Sequence, residues 1–177
     1  MTYPNEVSAD QLLQGDNREA SMWLEKVWSG RRPVPAEFNW YLLAQGAAGL
    51  ARTKLDLGWA NLAVKVYDYI AAKGNASLAD SVINSCMMLK AYMISELGVV
   101  QGDPILDVEP IVEWFLKSPD IAEAPEGIRP DSLNVDETRR LRRIKNRLAV
   151  IQVLADKDVL PPNVTLSAWL ALRKQLP

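Results

Sequence analysis

Apolar residues recur along this chain at intervals of three and four, and no run alternates between apolar and polar as a half-buried strand would. Asp16 and Glu19 have capping-box spacing, and Ala20, Trp23, Leu24 and Val27 follow on one face, so a first clear helix is predicted over about 17–28. The stretch from Ser29 to Pro35 breaks it, and Pro35 suits the first turn of a second helix, about 35–56. Inside that helix Gly46 and Gly49 each cost about 0.8–1 kcal/mol relative to alanine. They imply either a break or the close approach of a neighbouring helix, and the small residues around them favour the close approach.

A third helix, about 59–73, carries Trp59, Leu62, Ala63, Val66 and Ile70 as a buried stripe, with Gly74 as its stop. Ser77 and Asp80 offer the next cap, and Leu78, Val82, Cys86, Leu89, Met93 and Leu97 run down one face. Ile83, Met87, Met88, Tyr92 and Ile94 widen that face almost all round, which predicts a central helix with Cys86 as an inert buried thiol. A shorter helix, about 107–118, presents Val108, Ile111, Val112, Phe115 and Leu116. The Pro-divided stretch 119–134 reads as a functional loop or a linker. Asn134 with Glu137 starts a helix near 135–156, and a terminal helix of about 165–176 carries Leu166, Trp169, Leu170 and Leu176.

The expected fold is all-α, with six or seven helices. Residues 1–118 form a core of stacked helical hairpins, 119–134 connect, and the pair within 135–177 docks across the core as part of the same domain. Within the core, Leu50, Ala51, Gly58, Ala63 and Tyr67 fall where a tetratricopeptide repeat places its Leu-Gly, its turn glycine, and its small and aromatic positions. The segment Ala47 to Ala72 therefore resembles one helical hairpin of that family. It departs from the pattern at Ala47 and Lys54, where large aromatic residues are usual, and no proline or 34-residue recurrence follows. The resemblance implies an antiparallel helix pair used to bind protein segments.

Composition narrows the chemistry. A chain of 177 residues with 49% hydrophobic content can bury roughly 70% of its unfolded surface without a metal or disulfide staple. The absence of histidine excludes Ser-His-Asp and Cys-His pairs and His-ligated zinc, and the single Cys86 cannot form an intramolecular disulfide. No phosphate-binding glycine loop occurs, so no cofactor is expected. The first residues lack the cationic region and apolar run of a signal peptide, and no stretch of 18 apolar residues occurs, so a cytoplasmic location without a membrane partner is expected.

The near-neutral net charge of −2 hides a polarised distribution. Residues 96–126 hold eight carboxylates against Lys117 alone, a local charge of −7, whereas 139–147 hold six cations and no anion. On the basic helix Leu141, Ile144, Leu148, Ile151 and Ala155 share one face, and Arg139, Arg142, Arg143 and Asn146 the other. Trp114 sits at the edge of an apolar stripe beside Glu109, Glu113 and Lys117, either as an interface aromatic or covered by the following loop.

These features point to a non-enzymatic interaction or assembly protein: an adaptor, an inhibitor or immunity-type protein, or a subunit of a larger particle. Its candidate contact residues are Arg139, Arg142, Arg143 and Arg147 with Glu109, Glu113 and Trp114, and its partner is another protein or a second copy of the chain. Nucleic-acid binding by 139–147 is the alternative, opposed by a pI near 5.3. A carboxylate-metal enzyme using Asp103, Asp107, Glu109 and Glu113 is a further one.

Overall fold

The computed structural model describes residues 7–35, 37–73, 76–99, 109–118, 120, 134–157 and 166–176. Among them every regular element is helical: α1 (Ala9–Gln14), α2 (Asn17–Trp28), α3 (Trp40–Lys54), α4 (Leu57–Lys73), α5 (Ala76–Glu96), α6 (Glu109–Leu116), α7 (Val135–Asp156) and α8 (Leu166–Arg173). The chain divides into two compact units, residues 1–97 and 98–177. The first holds α1 to α5 and the second α6 to α8.

Seven of these helices answer to the predicted ones, and α1 has no counterpart in the expectation. Six residues make less than two turns, too few for a periodic stripe. Its signal lies in the cap: the Gln11 N–H donates to Ser8 Oγ at 3.3 Å while the Ser8 N–H donates to Gln11 Oε1 at 2.9 Å. Helix α3 starts at Trp40 rather than in the turn of Pro35, because Asn39 accepts the Leu42 N–H at 2.9 Å and satisfies an orphan donor there. Ser77, expected as a cap, already lies inside α5. Gly74 and Val108 lie outside the described residues.

In the first unit most of the predicted stripe residues are buried, while Leu97 is half-buried beyond the end of α5, Ile83, Met88 and Tyr92 are half-buried, and the Leu78 side chain lies outside the described ones. Trp23 and Leu24 on α2, Trp59, Leu62 and Val66 on α4, and Val82, Leu89 and Met93 on α5 are all at most 2% exposed. Helix α3 packs on α4 and α4 on α5, while α1 lies on α3 and α2 on α4.

The two glycines of α3 do different things. A methyl group at Gly46 would stand 2.3 Å from Leu13 Cδ1, so Gly46 is where α1 lands on α3, whereas at Gly49 nothing lies within 4 Å. Gly58 makes a second close approach, against the Asn17 amide. That amide donates to both oxygens of Asp56 at 3.2 Å, and Asp56 Oδ1 also accepts the Gly58 N–H at 2.8 Å. One carboxylate thus caps the start of α4 and ties α2 to it.

An aromatic layer closes one side of this unit. Trp28 stacks on Tyr69 at 5.2 Å and on Trp40 at 6.1 Å, Phe38 meets Trp40 edge-on at 4.6 Å, and Phe38 also meets Trp23 at 5.0 Å. Such pairs add about 0.5–1.5 kcal/mol each beyond the area they bury. They hold the Phe38–Trp40 segment against α2 and α4 without regular hydrogen bonding.

Cys86 is buried and its thiol donates to Asp68 Oδ1 at 3.8 Å. Burial, opposed by Lys90 and helped by Asp68, pushes that thiol up to about 12. The thiol therefore keeps its proton in the folded state across neutral pH. A thiol exposed by unfolding ionises near 8.5, so Cys86 contributes stability that is complete below about pH 8.5 and lost as pH rises toward 12.

Two predictions follow from this packing and chemistry. In urea unfolding, Gly49→Ala should stabilise by about 1 kcal/mol through helix propensity, while Gly46→Ala should lose that gain because Leu13 has to leave its place. At pH 8, a disulfide reagent such as DTNB should modify Cys86 slowly in the native protein and rapidly in urea; equal rates would show that the thiol is accessible.

Candidate functional site

The second unit contains the predicted basic helix, and its local construction decides which cations face water. Asn134 caps α7 by accepting the Glu137 N–H at 2.8 Å, and Thr138 Oγ1 donates back to the Asn134 carbonyl at 2.9 Å. Asp136 and Glu137 occupy the first turn, where negative charge suits the macrodipole. The arginines therefore begin one turn in.

Asp120 anchors the unit. It is 4% exposed, and Arg143 reaches it with two contacts, Nη2 to Oδ1 at 3.1 Å and Nε to Oδ2 at 3.3 Å. Arg140 Nε approaches Oδ1 at 3.4 Å, and the Ser118 hydroxyl donates to Oδ2 at 3.4 Å. Gln175, 1% exposed, joins the cluster from beyond α8. Its amide donates to the Asp120 carbonyl at 2.8 Å and to the Ala171 carbonyl at 2.9 Å, and its oxygen accepts from Arg140. A member of the acidic run thus pairs with the basic run inside one chain, and three separate segments meet at one residue.

Arg147 points inward. It is 8% exposed, and its guanidinium lies 4.6 Å from the centroid of the half-buried Trp114 ring. What covers one face of this indole is a cation from α7, a favourable arrangement against the ring's negative face. Of the seven residues singled out from sequence, Arg147 and Trp114 pair with each other and Arg143 with Asp120. Glu113 accepts Lys117 at 2.5 Å as an exposed pair one turn apart, and such a pair is worth little. Glu109 is exposed and likewise engaged. Arg139 and Arg142 are exposed, and with the exposed Lys145 they follow one another at intervals of three along α7.

The buried face of α7 is Ile144, Arg147, Leu148, Val150, Ile151 and Leu154, while Ala155, expected among them, is exposed. Leu116 of α6, expected in the core, is 38% exposed. On α8 the correction is larger. Ala168, Leu172 and the following Gln175 are buried, while Trp169 is half-buried and Leu170 is 52% exposed. The helix is turned away from the predicted stripe because the Gln175 amide, which reads as a polar outward position, is drawn in by Asp120.

That rotation leaves an open groove of about 400 Å³ between α7 and α8. Helix α7 contributes Lys145, Leu148, Ala149 and Gln152, and the facing wall is Trp169, Arg173 and Leu176. Leu148, Ala149, Trp169 and Leu176 make its lining mainly apolar, Lys145 and Arg173 bring cations to it, and no carboxylate lines it among the described residues. Apart from the basic residues themselves, sequence reasoning missed this site. The signal was present as two stripes at helical spacing, Lys145-Leu148-Ala149-Gln152 and Trp169-Arg173-Leu176.

Among the described residues no group of three or more His, Cys, Asp or Glu side chains could hold a metal ion, and no helix is long and apolar enough to cross a membrane. Asp103 and Asp107, two members of the suggested carboxylate-metal set, lie outside the described residues. Compared with protein-family models, curated proteins and solved structures, the chain matches none.

Asp120→Asn should lower stability by about 2–3 kcal/mol in urea unfolding, less than the roughly 3–5 of a fully buried pair because Arg143 keeps partial access to water. A loss below about 0.5 kcal/mol would show that the cluster does not anchor the unit.

Proposed function

We propose that this protein is a non-enzymatic protein-interaction module whose basic face on α7 receives an acidic surface of a protein partner. The observation that carries the reading is the division of labour among the cations of 139–147. Arg140, Arg143 and Arg147 are consumed by Asp120, Gln175 and Trp114, whereas Arg139, Arg142 and Lys145 stay exposed in a row, with no partner among the described residues. An exposed row of like charges contributes nothing to the fold and repels itself, so it is best explained by an anionic counterpart. Such complementarity steers encounter and fixes register more than it supplies affinity. The helical hairpin of α3 and α4, with its likeness to a tetratricopeptide unit at Leu50, Ala51, Gly58, Ala63 and Tyr67, supports the same class of function.

Nucleic acid is the rival counterpart, since the same cations would meet phosphates. Against it stand the shortness of the row and the net negative charge of the chain.

The double variant Arg139→Glu with Arg142→Glu should keep the far-ultraviolet circular dichroism of the parent protein and lose its partner in a pull-down from the native host. Steered association should slow by about tenfold or more, and the parent complex should weaken as salt shortens the screening length. Saturable binding of DNA or RNA near 150 mM salt, with a logarithmic salt slope that falls in the double variant, would assign the face to phosphates instead.

A further inference from the structure

Resting on the protein-interaction reading, we infer that the groove between α7 and α8 is the seat of a single amphipathic helix from the partner, acidic at one end and apolar along its middle.

Three features specify that occupant. The first is shape. Residues 145, 148, 149 and 152 are spaced i, i+3, i+4, i+7 on α7, and 169, 173 and 176 are spaced i, i+4, i+7 from α8 onward. Two packed helices that turn such stripes toward a shared open groove leave the space a third helix fills in a bundle. The small side chain of the exposed Ala149 leaves a hole beside Leu148 and Trp169 for an apolar anchor. A groove of about 400 Å³ takes such anchors while the rest of the incoming helix stays outside it.

The second is polarity along the groove. Arg140, near the start of α7, bonds Gln175, just beyond the end of α8, so the two helices run antiparallel. Lys145 and Arg173 therefore stand toward one end, with Arg142 one turn further out. Leu148, Ala149 and Trp169 form the middle, and Gln152, whose amide donates to Asp156 at 2.8 Å, marks the other end. Carboxylates on the occupant are matched at the cationic end only.

The third is the lining itself. Trp169 is half-buried, neither in the core nor fully in water, and a large amphipathic ring at the centre of a partly covered surface is the residue type that most often dominates binding energy.

The test selects peptides without presupposing their sequence. A phage-displayed library of random 16-residue peptides is panned on the immobilised full chain, and enriched sequences are resynthesised with fluorescein for anisotropy. The expected winners place apolar residues at i, i+3 or i+4, and i+7, with Asp or Glu gathered at one end. Their affinity should fall at least tenfold on Trp169→Ala and on Lys145→Glu with Arg173→Glu. Ala149→Trp, which fills the hole from an exposed position without removing any core atom, should do the same if Trp169→Ala fails to fold.

Winners that are proline-rich or free of carboxylates, or that bind Ala149→Trp as tightly as the parent, would overturn the inference, as would the absence of enrichment. Competitive displacement of winners by a (dT)20 oligonucleotide would assign the groove to nucleic acid. Sedimentation showing a dimer of the free chain that Ala149→Trp dissociates would assign it to a second copy. Failure of this inference is separable from failure of the broader reading. A host partner lost by Arg139→Glu with Arg142→Glu but retained by Ala149→Trp leaves the basic face standing without the groove, and a partner lost by neither variant removes both.

Discussion

A carboxylate taken out of water must be compensated, and in this protein the compensation of Asp120 determines what the second unit shows to solvent. Removing an anion from water costs several kcal/mol unless charges and hydrogen bonds replace the lost hydration. Asp120 obtains them from Arg143 and Arg140, and its carbonyl from Gln175. Those contacts fix the rotation of α7 about its axis, and the rest follows from helical geometry. With Arg143 and Arg140 turned toward Asp120, Arg147 is carried inward onto Trp114, and Arg139, Arg142 and Lys145 are carried out. The same residue, through its main-chain carbonyl and Gln175, turns α8 so that Leu172 goes under and Trp169 comes to the groove. The basic face and the groove are thus two outcomes of one buried residue, the first of its carboxylate and the second of its main-chain carbonyl.

The first unit is organised by close approach instead of by charge. Leu13 of α1 sits where Gly46 lacks a side chain, and the Asn17 amide occupies the space above Gly58 while bonding Asp56. These contacts tie the ends of short helices to the α3–α4 pair. Around them the aromatic layer of Trp23, Trp28, Phe38, Trp40 and Tyr69 supplies area and little polarity. Chemistry that could act on a bound molecule is correspondingly sparse there: the one thiol is protonated, and Asp56 is spent on a cap.

The elements legible in the sequence were those whose apolar pattern is long and strong. The stripes of α2 and α4 could be read residue by residue and that of α5 along its middle, from Val82 to Met93, and α7 begins and ends where its cap and periodicity place it, at Val135 and Asp156. Shortness hid α1, and Pro35 outweighed the weaker sign of Asn39 at the start of α3. The candidate site was legible in its composition but not in its orientation. Asp120 is one of eight carboxylates in its stretch, and nothing local distinguishes the buried one from its solvated neighbours. Arg147 falls on the apolar face of the wheel, three residues after Ile144 and four before Ile151, but reads as surface by its charge alone, although a long apolar stem and a planar cation let it lie against an indole. Gln175 reads as polar and outward, and because its polar amide is buried instead, the face assigned to α8 was displaced from Ala168 and Leu172 to Trp169 and Leu170.

The two units also differ in how early their defining contacts can form as a chain is made from its N-terminus. Helices α3, α4 and α5 follow one another closely and pack on their immediate neighbours, so each pairing becomes available once the next helix exists. The Asp120 cluster has a different schedule: the bond from Gln175 to the Asp120 carbonyl spans 55 positions, and Arg140 also depends on that glutamine. Until residue 175 has been synthesised, α7 lacks the contact that completes its environment, whatever helix it has already formed. The basic face is therefore among the last features to reach its working arrangement, and a nascent chain would present arginines that the finished protein keeps covered.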